Sequence, residues 1–533
     1  MKSILKSVKE RARLKLLLVL FPAAFSGQAF ATKLFIPMDA GGQTNHLKAY
    51  GIAFAAMKDG QPVSWMLNYK GGSFGMEYTK KLADMCTQRE VSFTKMSDKE
   101  LADVMKEVSG LKYQGQVIKL VKPPRIAVYT PLNKEPWDDA VTLALTYAEI
   151  PFEKVYAEEA LNGKLDNYDW LHLHHEDFTG QYGKFWAQFR AAQWYNNDQN
   201  AAERLARKLG FKKVSQMQLA VVKRIAKFVS GGGNLFAMCS ATDTYDIALA
   251  AEGVDICETQ FDNDPMDADA QQKLNYAPCF AFKDFKLSVS PYEYEYSNID
   301  NSDFRKLEEA ADVFTINEFP TKLDPVPAML CQNHTTVVKG FFGQTTAFRK
   351  EIIKSRVVIL AENKALNEAR YIHGDMDKGS WTFYGGHDPE DYKHSVGAPP
   401  TNLAFHRSSP GYRLILNNVL SPAAERKSVP TVVMNAANPA VTSTLPATAS
   451  TLKMESDAIK ILPDPGNNSL KIVLPASLIN SKPVQIVITN TTGMEVINKS
   501  FGADNINISL GTLTPGVYLI QVNGQYAGKL MKD

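Results

Sequence analysis

"GGGNLFAMCSATD", residues 231–243, is the stretch whose reading decides the fold. The triplet Gly231-Gly232-Gly233 reads as a turn, Leu235-Phe236-Ala237-Met238 as a buried strand, and Cys239 to Asp243 as a tight turn into a helix. Such a turn can present a thiol at a helix N-terminus, where orphan N–H groups and the helix dipole favour the reactive thiolate. Free cysteine is equally at home as a small apolar core residue, so Cys239 stands open between nucleophile and core.

Working outward, the same alternation surrounds this stretch. "RIAVYT", the helix-like "WDDAVTLALTYAEI", "EKVYA", "YDWLHLHH" and a long helical region at about 197–229 precede it, and "GSWTFYGG" follows. Near-continuous apolar strands alternating with helices predict an α/β fold with a doubly wound, mostly parallel sheet over residues 121–423. Ligands in such sheets gather at the C-terminal strand ends. His172 to Asp177, Cys239 and the segment after "GSWTFYGG" are therefore expected on one rim.

Residues 32–120 alternate in the same way, with "KLFIP", "VSWML" and "VSFTKM" each leading into a helical run. They predict a small α/β domain whose right-handed crossovers make its sheet parallel. "FDNDPMDADAQQ" is an acidic, turn-rich loop that departs from the EF-hand calcium pattern. Residues 424–457, rich in Ser, Thr, Ala and Pro, read as an extended linker. Residues 458–533 hold short alternating strands with frequent turns, the spacing of a small all-β sandwich.

The 533 residues, 45% hydrophobic and 22% charged, describe a globular chain of two or three domains. Residues 1–31 join a basic stretch to the apolar "LLLVLFPAAF" and an A-x-A signature at Ala29-Phe30-Ala31, which predicts a signal peptide cleaved after about Ala31. That segment has six basic residues and one acidic, so the chain's formal +2 less this +5 leaves −3. This balance, and the lack of any basic run interleaved with aromatics, argue against nucleic-acid binding. No transmembrane helix is expected in the mature chain. The cysteines Cys86, Cys239, Cys257, Cys279 and Cys331 are odd in number, Cys257 with Cys279 is a candidate disulfide, and the lack of C-x-x-C argues against a cysteine-type zinc site.

Three resemblances add to this reading. "ILPDPGNNSLKIVL", "ITNTTGMEVINK", "LTPGVYLIQV" and "GKLMK" make residues 458–533 resemble the C-terminal sorting domain (type A) of proteins exported by the type IX secretion system. That resemblance implies passage through the periplasm, the secretion machinery as partner, and a secreted or cell-surface location. "FVSGGGNLFAMCSATD" and "WTFYGGHDPED" resemble the class I glutamine amidotransferase fold, a flavodoxin-like architecture. The likeness implies that Cys239 attacks an amide or ester carbonyl, His387 moves the proton, and Glu390 or the inserted Asp388 orients the imidazole. Backbone N–H groups near Ser240, with Gly232 and Gly233 or another loop, would form an oxyanion hole. Ala237 and Ala241 stand where that family's elbow has glycine.

"HLKAYGIAF", "WDDAVTLALTYAEIPF" and "GQTTAFRKEIIK" resemble exported bacterial proteins labelled asparagine synthetase B. That chemistry needs an N-terminal cysteine and an S-G-G-x-D-S pyrophosphate loop. The chain offers Thr32 after the cleavage point and "SGGGNL" at 230–235, so the activity is not expected.

"LHLHHEDFTGQYGKF" competes for the same rim. His174, His175, Glu176 and Asp177 are open between a hydrogen-bonded polar rim, substrate binding beside Cys239, and metal ligation with His387 or His394. Asp138 and Asp139 open a helix near this rim and complement its N-terminus. The leading expectation is an exported protein whose Cys239–His387 pair acts on an acyl bond of an extracellular small molecule, peptide or glycan, without a cofactor. The alternatives are a non-catalytic ligand-binding protein, or a metal-dependent hydrolase with His174, His175 and Asp177 as ligands.

Overall fold

The computed structural model describes residues 32–110, 115–131, 139–301, 309–322, 324–395, 397–425, 431–434, 459–464, 467–474, 483–490, 494–502, 505–523 and 525–532. The expected signal peptide, most of the expected linker, and Asp138 lie outside the described residues.

The first sheet contains β1 (Lys33–Ile36), β2 (Val63–Met66), β3 (Ser73–Glu77), β4 (Thr94–Met96) and β5 (Val117–Leu120), in the order β4-β1-β3-β2-β5. Every pairing is antiparallel, which corrects the expectation of a parallel sheet. The reason is β3. "SFGME" follows β2 after a short loop without an intervening helix, and it inserts between β1 and β2 with opposite polarity to both.

The second sheet contains β6 (Ile126–Tyr129), β7 (Glu153–Val155), β8 (Trp170–Leu173), β9 (Asn234–Met238), β10 (Val313–Ile316), β11 (Val337–Lys339), β12 (Phe348–Arg349), β13 (Val358–Asn363), β14 (Glu368–Met376) and β15 (Gly379–Tyr384). Its order is β11-β10-β13-β14-β15-β9-β8-β6-β7, with β12 on β14. The run β15-β9-β8-β6-β7 is parallel. From β15 to β11 each pairing is antiparallel. The sheet is therefore mixed, and the expectation of a mostly parallel sheet holds for one half of it. Residues 310–384 form their strands largely as consecutive neighbours, and short connections favour antiparallel pairing.

Side chains alternate between two cores, as the period of two requires. Ile126, Val128, Trp170, Phe236 and Tyr384 face a layer that contains the helices His46–Lys58, Ala140–Ala148 and Pro410–Leu420. The first sheet packs into this same core through Leu34, Ile36, Trp65 and Phe74. Ala127, Leu171, Leu235, Ala237 and Phe383 face the opposite layer, with the helices Val214–Ser230 and Ala241–Ala250.

The C-terminal region forms two small sheets. Their strands pair antiparallel, except that Thr431–Met434 runs parallel to the final strand Gln525–Lys532. A strand thus begins inside the stretch read as a linker. The two sheets share one core, with Leu470, Ile472, Ile506 and Ile508 from one and Ile486, Ile488 and Ile520 from the other.

Candidate functional site

Four adjacent parallel strands, β6, β8, β9 and β15, end on one rim, and the chain leaving each delivers polar side chains there. Backbone hydrogen bonds hold the ends together. Cys239 N–H donates to Gly386 O (3.2 Å), Ala241 N–H to His174 O (3.1 Å) and His387 N–H to Phe342 O (2.8 Å). Gly386 sits at φ +101°, a conformation that disfavours a side chain, and a Cβ there would lie 2.4 Å from the Phe341 ring.

Three imidazoles converge on this rim. The ring nitrogens offered by His174, His175 and His387 all lie within 4.8 Å of one another. His174 is 1% exposed and His387 8%, whereas His175 faces solvent. The ring centroids of His174 and His387 are 4.4 Å apart, and His394 stacks on His387 at 4.2 Å and 4°. His387 Nδ1 is buried with no hydrogen-bond partner. Burial, together with the neighbouring His174, His175 and His394, holds the protonation of His387 well below the ordinary histidine range. A neutral imidazole is the form that binds a metal.

Behind this trio stands Asp139, 2% exposed. Its Oδ1 accepts from Val141 N (2.8 Å) and Thr142 N (3.0 Å), so it caps the helix Ala140–Ala148. The same carboxylate lies 3.0 Å from His172 Nε2 and 3.3 Å from His174 Nδ1. Burial would raise this carboxyl, yet the two histidines hold it well below the usual carboxylate range. Asp139 thus engages Nδ1 of His174. His172 is used up within the fold, because its Nδ1 faces Phe236 O at 3.1 Å.

The acidic neighbours divide. Glu176 Oε2 accepts from His174 N–H (2.8 Å), and burial pushes its carboxyl up to about 8. Asp177, open in the sequence between a polar-rim, a substrate and a metal role, spends its oxygens locally: Oδ1 accepts from Thr179 N (2.7 Å) and Oγ1 (2.5 Å), and Oδ2 from Gly183 N (2.9 Å). It shapes a turn, and of the two histidines considered as further ligands it is His387 that stands with His174 and His175.

Cys239 occupies the predicted strand-to-helix turn at φ +50°, 3% exposed. The strained backbone is at the cysteine itself, while Ala237 and Ala241 belong to the strand and the helix. Burial pushes the thiol up to about 11, although Sγ accepts from Gln344 N–H at 3.2 Å. Beside it Ser240 Oγ and Asp243 Oδ2 are buried without hydrogen-bond partners. Glu390 does not turn to His387: its Oε2 pairs with His406 Nδ1 at 2.9 Å. Asp388, the other expected orienter, accepts from Glu390 N–H through Oδ1 at 2.9 Å. Gly232 and Gly233 precede β9 and so lie at the opposite end of that strand from Cys239. All five cysteines are free thiols, including Cys257 and Cys279, which donate to Thr179 O and Asp246 O. The acidic loop closes on Lys213, whose Nζ lies 2.5, 2.9 and 2.6 Å from Asp255, Asp262 and Asp264.

Sequence reasoning placed Asp139 on this rim but gave it no partner. The signal was present: helix N-terminal carboxylates follow the strand next to the one bearing His172 and His174.

A cleft of about 680 Å³ opens beside the trio, with His175 in its wall.

Residues 460–532 match the family of the secretion system C-terminal sorting domain. The tail is therefore a type IX sorting domain, which implies export by that machinery and a secreted or cell-surface protein. No helix among the described residues is long and apolar enough to cross a membrane. No curated protein matches the chain. Among solved structures, cytoplasmic protein STM3548 from Salmonella typhimurium is 9% identical with a TM-score of 0.28, covering 57% of this chain and 100% of its own. Cytoplasmic protein STM1381 from Salmonella typhimurium LT2 is 12% identical with a TM-score of 0.28, covering 56% and 100%. Gan42B, a GH42 beta-galactosidase from G. stearothermophilus, is 10% identical with a TM-score of 0.24, covering 75% of this chain and 40% of its own. Likeness at this level carries no argument about activity.

Proposed function

We propose that the region between the leader and the sorting tail is a metal-dependent hydrolase exported to the cell exterior, with His174, His175 and His387 as the metal ligands. The observation that carries this reading is the convergence of three imidazoles within 4.8 Å. Three imidazoles suit zinc and related divalent ions, and they leave a position open for water and another for a substrate oxygen. A bound ion would bring the pKa of that water to about 7 and polarise an acyl carbonyl. Glu176, whose carboxyl accepts from the His174 backbone N–H, would carry the proton from water to the leaving group. Asp139 holds His174 by Nδ1 and fixes which ring nitrogen is offered.

Elemental analysis of protein purified without chelator tests this. About one equivalent of a divalent transition metal per chain is expected, lost in His387→Ala and accompanied by hydrolysis of an ester or amide. Metal-free protein that takes up no added zinc, manganese or nickel refutes it.

A second reading keeps Cys239 as nucleophile on an amidotransferase-like domain, with His387 as base. The observation that favours it is φ +50° at a cysteine on a strand-to-helix turn, the backbone strain of an exposed-nucleophile elbow. Turnover abolished by Cys239→Ser with metal content unchanged selects this reading over the first.

A further inference from the structure

We infer that the cleft beside His175 binds a neutral glycan chain, whose O- or N-acyl groups would be what the proposed metal centre hydrolyses; the second half of that statement rests on the function proposed above. The cleft has the size of a site for an oligomeric or drug-sized ligand, and His175 joins it to the histidine trio.

Aromatic rings dominate its walls. Tyr156, Tyr182, Phe185, Trp194 and Tyr195 all line it. Tyr182 meets Tyr195 at 80° and Phe185 meets Trp194 at 75°, so the rings turn in different directions and present flat faces as well as edges. Outside the cleft the row continues. Phe185 contacts Tyr294 at 6.0 Å, and Trp186 contacts Tyr292 at 5.5 Å. Trp194 and Tyr294 are each 39% exposed and Tyr292 is 72% exposed. Large exposed rings gathered in one place mark a binding surface rather than a fold requirement.

The polar complement narrows the ligand. Among the described residues neither lysine nor arginine lines the cleft, so a phosphorylated or polycarboxylate ligand would meet no counter-charge from them. The carboxylates are not a free cation trap either. Glu158 pairs with Lys208 at 2.5 Å, Glu159 accepts from Tyr156 N–H, Asp177 is held by Thr179 and Gly183, and Asp198, the fourth carboxylate of the wall, is also engaged. What remains is hydroxyl and amide chemistry. Tyr195 Oη and Gln218 Oε1 belong to wall residues that are 2% and 7% exposed, and neither atom has a hydrogen-bond partner. An unpaired buried polar atom is costly, and a ligand hydroxyl reaching the wall after a small side-chain adjustment would relieve it. No residue of β6, β7 or β8 lines the cleft, so an extended peptide would find no strand edge to pair with. A sugar ring offers an apolar C–H face to an aromatic ring and hydroxyls to amides and carboxylates, and it satisfies every one of these features at once.

The test is an array of neutral, acidic and basic oligosaccharides and peptides probed with the full mature protein, followed by calorimetry on the best ligand. Binding confined to neutral glycans is expected, weakened at least tenfold by Trp194→Ala with an unchanged melting temperature. A ligand set limited to polyanions, polycations or peptides overturns the inference, as do a blank array and a Trp194→Ala protein that binds like wild type. His387→Ala separates the two proposals: glycan binding should persist while metal is lost. If wild-type protein binds a neutral glycan but takes up no metal, the glycan site stands and the metal centre falls.

Discussion

Replacing Asp139 by asparagine separates its two duties. Its carboxylate caps a helix through Val141 and Thr142 and also contacts His172 and His174. Asparagine caps a helix as well as aspartate does, so the fold should be retained. What is lost is the negative charge behind His174 Nδ1 and one of the acceptors facing two imidazoles. Removing such a partner behind a ligand weakens metal binding by about 10–100-fold, or about 1.4–2.8 kcal/mol. Asp139→Ala should do more, adding about 1 kcal/mol of lost capping to the same metal defect. The assay is competition with a chromophoric chelator, run beside thermal unfolding of the metal-free proteins. The expected pattern is an Asn variant with near-normal melting and weakened metal affinity. An Asn variant that binds metal as tightly as wild type would show that Asp139 only caps its helix, and the account of His174 given above would then be wrong.

Other outcomes follow from the geometry. Cys239, buried and with its thiol pushed up to about 11, should resist alkylation at pH 8 in the native protein; rapid reaction below pH 8, slowed in His387→Ala, would instead establish a coupled nucleophile. Gly386→Ala should cost about 2–4 kcal/mol and displace His387, because its φ is +101° and a Cβ would meet the Phe341 ring; melting temperature and metal content read both effects. His46 and His334 stack at 4.4 Å beside Arg413, and burial followed by that guanidinium lowers them to about 3 and about 4. Their folded pKa values lie below the unfolded value, so the folded state binds fewer protons, and the stability they give is present above about pH 6.5 and lost as pH falls toward 4. Denaturant titrations at pH 7 and pH 4 should differ by on the order of 2 kcal/mol from His46, after discounting for screening, and His46→Gln should flatten that dependence; an equal pH slope in the variant would count against it.

The sequence made the ingredients of the rim legible more readily than their neighbours. Apolar runs gave the strands, and the chemistry after "LHLHH", after "LFAM" and after "WTFYGG" pointed to one set of strand ends. Contacts between those segments depend on strand order and side-chain direction, which periodicity does not carry. Glu390 illustrates this. Its spacing from His387 suggests an orienter, yet the chain turns it toward His406, on a segment just before the last helix of this region. Asp177 illustrates it differently, because a carboxylate followed by Thr179 and Gly183 finds local N–H donors before it can reach a ligand. The first sheet was misread for want of one strand: "SFGME", with two preceding glycines, looks like loop, and its insertion reverses the polarity of its neighbours.

The mixed character of the second sheet explains why one half of it carries the chemistry. In the parallel half every strand arrives at the same rim, so Asp139 after β6, His174 and His175 after β8, Cys239 after β9 and His387 after β15 are brought together by topology alone. In the antiparallel half successive strands alternate in direction, and β14 ends at Met376 on the opposite side from His387. The strand that joins the halves is β15. It pairs parallel with β9 through Tyr384 and Met238, and it therefore carries His387 to the rim although five strands intervene between β9 and β15 in the chain. A long-range pairing of this kind leaves no local trace in the sequence. Moving it by two residues would keep every side chain on its face, yet carry His387 about 7 Å along the strand and out of reach of His174. The Gly386 turn fixes that register, since its carbonyl accepts from Cys239 and its N–H donates to Thr345. The histidine trio and the cysteine elbow thus share one determinant, and a change at Gly386 should disturb both, whereas Asp139→Asn should disturb only the trio.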